Sequence, residues 1–376
     1  MLHLVCRQLL HRPLRTAFTL TAVAATIGAV LVIQGFQSGI YRQLPGLVLN
    51  RGGDLIVTQA GITNMIAARS TLPQLARRRI EAIGGVEIAH PLTAISAIFA
   101  RHGRKTPIFI LVYDSAGGPR NIIAGTAPKG PRDIVVDRSL ARIHGLRLGE
   151  RIEISEYAFR ISGITTGNVA FFTPFAFVTY DGMIDFYMES KVVGDITTFP
   201  LLSFLIVDLE PGADRDRVAA AIEARVPEAD VFVPRTLAAN DRKLGRAMLG
   251  PVFNLITAVS FVIGVLVIGL IMSASVNARR RSLGVLKALG FSSRRLGGAV
   301  LFEAAIVTVV AFPFGMALAW GVAAVVDAAA PLYVVMFDDP ATLLRTALGC
   351  AVFALAGSLI PVRVIARLEP AIVFRR

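Results

Sequence analysis

Four stretches of this 376-residue chain run for about twenty residues or more with almost no charge, a length of apolar sequence that suits a bilayer and few soluble cores. They lie at about 16–40, 250–277, 297–327 and 342–362. Crossing the hydrocarbon layer as a helix takes about 20 apolar residues, so each stretch is read as a transmembrane helix. Composition agrees, with 54% hydrophobic and only 17% charged residues, where soluble domains are nearer a quarter charged. Arg7, Arg12 and Arg15 precede the first span as they would a secretory signal. Its apolar core is longer than the usual ~7–15 residues, however, and no small-residue cleavage site follows, so it reads as an uncleaved anchor.

The formal net charge of +13 is distributed in a way that sets an expected orientation. Nucleic-acid binding would need a basic patch on a folded soluble surface, whereas here much of the excess flanks the spans, so no nucleic-acid partner is expected. Short loops rich in Lys and Arg stay cytoplasmic. By that rule the N-terminal segment 1–15, read as an amphipathic helix, the loop 278–296 and the tail 363–376 are cytoplasmic. The loop 328–341 carries Asp338 and Asp339 with no Lys or Arg, and it pairs with the long region 41–249 as extracytoplasmic. Cys6 and Cys350 both fall in or beside apolar segments, so no disulfide framework is implied.

The loop from Arg279 to Leu296, RRRSLGVLKALGFSSRRL, holds six basic residues and no acidic one. Holding a loop inside would explain the charge alone. Its interior asks for more, because Leu283, Leu286 and Leu289 recur at helical spacing, Gly290 suits a left-handed cap and Ser292 or Ser293 can cap the next helix. Such a helix either lies on lipid with its arginines at phosphates or docks on a protein.

The segment resembles the cytoplasmic coupling motif of the FtsX-like, MacB-type (mechanotransmission, type VII) ABC transporter permeases, approximately R-x-x-E-I-G-x-x-R/K-A-L-G-A-S. Gly284, Lys287, Ala288, Leu289 and Gly290 match it, while Ser282 stands where the family has Glu and Phe291 where it has a small residue. The order of one span, a large ectodomain, three spans and the ending ARLEPAIVFRR is similar too, and IQGFQSGIYRQL resembles the DevC-type branch. The resemblance implies a permease subunit of the bacterial inner membrane that couples ATP hydrolysis on a separate cytoplasmic ATPase to movement of its ectodomain. ATP and Mg would sit on that ATPase and no cofactor on this chain. A homodimer is implied, with a periplasmic adaptor and an outer-membrane duct as further partners and export of a hydrophobic or envelope substrate as the task. A non-transporting regulator of an envelope hydrolase, of the cell-division type, is the alternative. Leu283, Gly284, Leu286, Lys287, Ala288, Leu289 and Gly290 are the expected ATPase-coupling residues, with Leu283 and Leu286 as apolar anchors.

The expected fold is therefore membrane α-helical with four transmembrane helices, plus an α+β extracytoplasmic domain. DLIVTQ from Asp54 reads as a strand, LPQLARRRIEAIGGV as a helix ending at Gly84 and Gly85, and the segment 203–233 as strand, helix, strand. Short alternating runs with glycine turns between Asp133 and Tyr180 read as a compact β region. The resemblance implies a split α/β part, about 51–115 and 200–238, with a β-rich insertion at about 130–198.

Catalytic motifs are missing from the sequence. There is no G-x-x-x-x-G-K-[ST] phosphate loop and no H-E-x-x-H, and His90, His102 and His144 lack metal-ligand spacing. Ser139 is near His144 only along the chain, which does not make a triad. Inside the spans, Glu303 is expected to brace the coupling loop by pairing with Arg294 or Arg295, and Pro313, followed by Gly315, to offer a hinge.

Overall fold

The computed structural model describes residues 13–66, 70–189, 201–337 and 339–367. Most of the expected N-terminal amphipathic helix, Asp338 and most of the family-like tail lie outside the described residues. The chain begins with helix α1 (Pro13–Leu49), strand β1 (Leu55–Gln59), the short β2 (Leu72–Pro73) and helix α2 (Gln74–Glu81). Long strands β3 (Val86–Arg101) and β4 (Arg104–Tyr113) follow, then β5 (Ile122–Gly125), β6 (Asp133–Asp137), helix α3 (Arg138–His144), β7 (Arg151–Ile154) and β8 (Tyr157–Thr165). Next come β9 (Val169–Ala170), β10 (Thr173–Thr179), helix α4 (Tyr180–Glu189), β11 (Leu201–Leu202), β12 (Phe204–Leu209), helix α5 (Arg215–Arg225) and β13 (Ala229–Phe232). Four helices close the described chain: α6 (Pro234–Ala278), α7 (Arg280–Ala288), α8 (Ser293–Ala329) and α9 (Pro340–Ala366).

Two compact units emerge. One gathers the chain up to Gly39 with Gly250–Ala328 and everything from Val334, and the other gathers Ile40–Leu249 with Ala329–Tyr333. Helices α1 and α6 are longer than the spans read at 16–40 and 250–277, because an apolar run measures a membrane crossing while a helix can continue through polar sequence.

In the first unit α1, α6, α8 and α9 are each long and apolar enough to cross a membrane. Their shared core is built from Ile27 and Leu31 of α1, Ile268 and Met272 of α6, Val307 and Ala311 of α8, and Phe353 of α9. The outward faces are apolar as well: Leu255, Val259, Val262, Leu266 and Leu270 form an exposed stripe along α6. That surface would be a liability in water and is the natural one in lipid.

With lipid outside and side chains inside equally apolar, close packing by small residues supplies much of the helix attraction. The backbones of α6 and α9 meet at Gly269 and Gly357, where a Cβ on Gly357 would lie 2.6 Å from the Val265 carbonyl oxygen and 3.0 Å from the Gly269 nitrogen. A Cβ on Gly349, two turns earlier in α9, would meet nothing within 4 Å. Gly357→Ala is therefore expected to cost about 1–3 kcal/mol through forced separation of two backbones, whereas Gly349→Ala leaves stability level or slightly raised. Thermal unfolding of the two variants in the same detergent checks this, and equal midpoints would refute the close crossing. Helix α8 runs unbroken through Pro313. Two residues on, a Cβ at Gly315 would lie 2.9 Å from the Ala24 carbonyl oxygen of α1, so the expected hinge sits beside a tight helix contact.

The second unit is organised on one mixed sheet of order β13-β1-β12-β3-β4-β10-β6-β8-β5, with β7 on β8 and β9 on β10. The β-rich stretch is no separate sheet, because β10 runs parallel to β4 with Phe175 opposite Phe109. Strand β3 alternates its faces as a pleated strand must. Ile95 and Phe99 enter a core with Ile110, Ile152, Phe159 and Phe186, while Leu92 enters another with Leu111, Phe177, Phe204, Ile206, Val48 and Leu237. Helices α2 and α5 cover the remaining part through Ala76, Ile80, Val218 and Ile222 against Leu55, Val57, Leu205 and Val207. Each fully buried Leu, Ile or Phe here contributes about 1.5–3 kcal/mol.

Candidate functional site

Helix α7 owes its ends to local chemistry. Gly290 has φ +93°, a conformation costly for any residue with a Cβ. Around it the Phe291 N–H reaches the Leu286 carbonyl at 3.1 Å and the Gly290 N–H the Lys287 carbonyl at 3.1 Å, the paired bonds of a Schellman stop. Two residues separate Gly290 from α8, whose start is capped by the Ser292 hydroxyl accepting the Arg295 N–H at 3.4 Å.

The orientation of α7 differs from the sequence expectation. Leu283 and Leu286 are half-buried against Val276, Leu296, Val300 and Ile365 of the neighbouring helices, and Gly284 is buried. They pack in part against the chain's own helices and hold the helix down. The face turned outward instead carries Val285 (43% exposed), Leu289 (71%) and, past the stop, Phe291 (44%). Ala288 and Gly290 are exposed with them. The spacing of the leucines revealed a face but not which side it met, because both sides of this helix are apolar. Lys287 points back as well, its Nζ donating to the Ala366 carbonyl at the C-terminus of α9 at 3.1 Å, where a cation also suits the helix dipole.

Beneath α7 the expected pairing of Glu303 is corrected. Its Oε1 accepts from Arg279 Nη2 at 2.7 Å and from the Ser275 hydroxyl at 3.3 Å, and the same Nη2 donates to Ser275 Oγ at 2.7 Å. Arg294 and Arg295 share α8 with Glu303, eight or nine residues away, about 12 Å or more along the axis. The cation comes instead from Arg279, the residue that joins the end of α6 to α7.

The ectodomain contains a second constellation that sequence reasoning missed. Arg51, just beyond α1, is 1% exposed. Its Nε donates to the Leu47 carbonyl at 3.0 Å and its Nη1 to the Gly117 carbonyl at 2.9 Å and the Gly118 carbonyl at 3.3 Å. Nη2 donates to Asn168 Oδ1, and the guanidinium lies 4.8 Å from the centre of the Phe177 ring. Burial, aided by the charge of Arg120, pulls its pKa from 12.5 down to about 9. The Asn168 N–H in turn donates to Asp137 Oδ2 at 3.0 Å. Burial raises the pKa of Asp137 against the opposing pull of the Ser139 and Asn168 hydrogen bonds. The end of α1 is thus tied to the 117–118 turn and, through Asn168, to β6.

The same turn is held from another side by His90, whose Nδ1 meets Ser115 Oγ at 2.7 Å and whose Nε2 meets Asp208 Oδ2 at 3.1 Å. The residue types are those of a hydrolase triad, but a triad's carboxylate is buried to orient the imidazole. Here His90 is 7% exposed and Asp208 40%, so the arrangement reads as a strap between strands and turn. Ser139 and His144 do not meet: Ser139 Oγ donates to Asp137 at 2.7 Å, while His144 Nε2 meets Thr106 at 2.8 Å. Among the described residues no group of three His, Cys, Asp or Glu side chains is placed to hold a metal ion.

A family model described as the MacB-like periplasmic core domain matches residues 16–225, and one described as the FtsX-like permease C-terminal matches 254–370. Among curated relatives, the uncharacterized ABC transporter permease Rv0072 of Mycobacterium tuberculosis is 22% identical over 322 residues, 85% of each chain. The permease Mb2592 of Mycobacterium bovis is 23% identical over 320 residues, 84% of each. Among solved structures, the periplasmic region of MacB from Actinobacillus actinomycetemcomitans aligns at 10% identity with a TM-score of 0.37, covering 51% of this chain and 94% of that one. The extracellular domain of the transporter YknZ from Gram-positive bacteria aligns at 12% identity and a TM-score of 0.35, covering 48% and 100%. With its MacB-like core matched over more than half its length and its last three membrane helices in the FtsX-like region, this chain belongs to the FtsX/MacB-like family of ABC transporter permeases.

Proposed function

We propose that this chain couples ATP hydrolysis by a separate cytoplasmic ATPase to movement of its own ectodomain, for export of a hydrophobic or envelope substrate. ATP and Mg are bound by the ATPase. Both termini and the 279–296 segment face the cytoplasm, and 41–249 lies outside. The working unit is a homodimer, with an adaptor and an outer-membrane duct beyond it.

The observation that carries this reading is the outward face of α7. Val285, Leu289 and Phe291 are exposed there within a segment whose Arg280, Arg281, Arg294 and Arg295 are exposed too. An apolar patch ringed by cations fits a protein groove with an acidic rim. The helix behind it is fixed by Leu283, Leu286 and Lys287, so a push on the patch is delivered to α6, α8 and α9 rather than absorbed locally.

Leu289→Asp is expected to reach the membrane normally yet to lose recruitment of the ATPase, since a carboxylate against a desolvated surface costs several kcal/mol. Arg281→Gln, at the rim, weakens recruitment by about 1 kcal/mol or less. Leu283→Asp instead loosens α7 from its own bundle and lowers the thermal midpoint of the isolated protein. Co-purification of the ATPase and its stimulated turnover measure the first two, and thermal unfolding of the isolated protein the third. Undiminished recruitment by Leu289→Asp would sink the docking face and leave α7 as a lipid-surface helix.

A further inference from the structure

The ectodomain encloses a concavity of about 380 Å³ that the coupling mechanism does not use. Its floor is one face of the sheet, formed by Phe109 and Leu111 of β4, Phe175 of β10 and Phe204 of β12. Its walls are Met65, from the loop after β1, and Leu47, from the helix whose first part is the apolar span. Such a volume is within the ~300–1,000 Å³ typical of small-ligand sites. Filling a space lined this way with apolar atoms restores the contacts its walls lack.

The chemistry of the lining narrows the occupant. Among the described residues no charged side chain lines the cavity, and the polar side chains there are three serines, Ser70, Ser96 and Ser203. Ser70 Oγ already accepts the Gln59 N–H at 2.9 Å and Ser203 Oγ the Ala94 N–H at 3.1 Å. With two of those hydroxyls accepting within the fold and no charged side chain among the described lining residues, the interior favours apolar surface. The Phe109 and Phe175 rings, in contact with centroids 5.4 Å apart, give the floor an aromatic surface, and Met65 is the kind of unbranched, adaptable side chain that conforms to a flexible guest. A chain with four membrane-crossing helices sits amid a large supply of slim, flexible, uncharged guests of that description.

We propose that this cavity is a binding site for a single alkyl or acyl chain, taken up by its apolar end with any polar head left at the mouth. This goes beyond the coupling role and does not depend on an ATPase. It also differs from a protein-docking surface, because a space of about 380 Å³ admits one slender chain and not a folded partner.

The test is photolabelling of the full chain in lipid nanodiscs with a decanoic acid carrying a terminal diazirine, followed by peptide mass spectrometry. Adducts are expected on the segments 94–111, 170–175 and 203–204 in addition to the membrane helices, and excess decanol, which lacks the charge, should compete away the ectodomain adducts. Ala94→Phe, which fills the space from the sheet side, should lower those adducts by about tenfold while leaving the membrane-helix adducts as an internal standard. Adducts confined to the membrane helices would overturn the proposal. So would ectodomain adducts that neither decanol nor a well-folded Ala94→Phe protein diminishes, a result pointing to a surface contact. If Ala94→Phe does not fold, decanol competition on the unaltered chain decides alone.

Discussion

Arg51→Met is expected to lower the thermal midpoint of the ectodomain transition by about 10 °C. The substitution keeps most of the apolar stem but removes the only donors reaching the carbonyls of Leu47, Gly117 and Gly118 and the amide oxygen of Asn168 that are hydrogen-bonded to this guanidinium. An acceptor left unsatisfied in the interior costs about 1–3 kcal/mol. Allowing some to find other donors, the loss is about 4 kcal/mol, and in a region of this size about 2–4 °C accompanies each kcal/mol. Arg51→Lys fares little better, because an ammonium cannot spread donors in a planar fork toward four acceptors. Arg120→Gln gives the opposite sign: the neighbouring charge that disfavours the buried guanidinium is gone, and stability holds level or rises. Amide exchange at 117–118 and 168 should quicken in the Arg51 variants before it does elsewhere. An Arg51→Met protein with an unshifted midpoint and unchanged exchange would remove this side chain from any structural role.

The second large effect belongs to Arg279→Met. Glu303 has a side chain only 12% exposed and keeps just the Ser275 hydroxyl once its cation is removed. Stranding one partner of such a pair costs about 3–5 kcal/mol, whereas replacing both by apolar groups is often neutral. The double variant Arg279→Met, Glu303→Met is therefore expected to recover most of the stability lost by Arg279→Met alone, with a coupling energy near the upper end of the ~0.5–3 kcal/mol found for contacting pairs. Simple additivity of the two single changes would mean that the pair is incidental. The double variant also separates stability from coupling, because it restores a packed bundle without the bond that ties the entry of α7 to α8.

The sequence made the four crossings legible because a bilayer imposes a length that no local accident mimics. It did not reveal that α1 and α6 continue as helices to Leu49 and back to Pro234, since Ile40–Leu49 and Pro234–Leu249 carry ordinary mixed polarity that could have been loop. The stop at Gly290 was readable from one residue because only glycine sits easily at positive φ. Which side of α7 is buried was not readable, because Leu283 and Leu286 on one side and Val285 and Leu289 on the other are equally apolar. Pairings between elements were the least legible: Glu303 found Arg279 rather than a cation of its own helix, and Arg51 found acceptors 66 and 117 residues away. Nothing in the local pattern around a lone arginine marks it as buried. The parallel pairing of β4 with β10 likewise has no local signature, so the β-rich middle read as a compact region without its link to β4.

The strand order also sets a timetable for biosynthesis. Strand β1 has only two neighbours, β12 and β13, and its Leu55 lies opposite Val207. At about 5–20 residues per second of synthesis, the strand waits roughly 8–30 s for its first partner. Throughout that interval Leu55, Ile56 and Val57, each 0% exposed in the finished fold, have nothing to pair with, and the edge of β3 that β12 later covers is open as well. A ribosome that stalls before residue 204 leaves a nascent chain with two unpaired apolar edges and no means of closing either. Cellular quality control of this protein is thus exercised mainly over that one delayed strand, and the yield of folded ectodomain depends on how long the newborn chain can be kept from pairing with its neighbours.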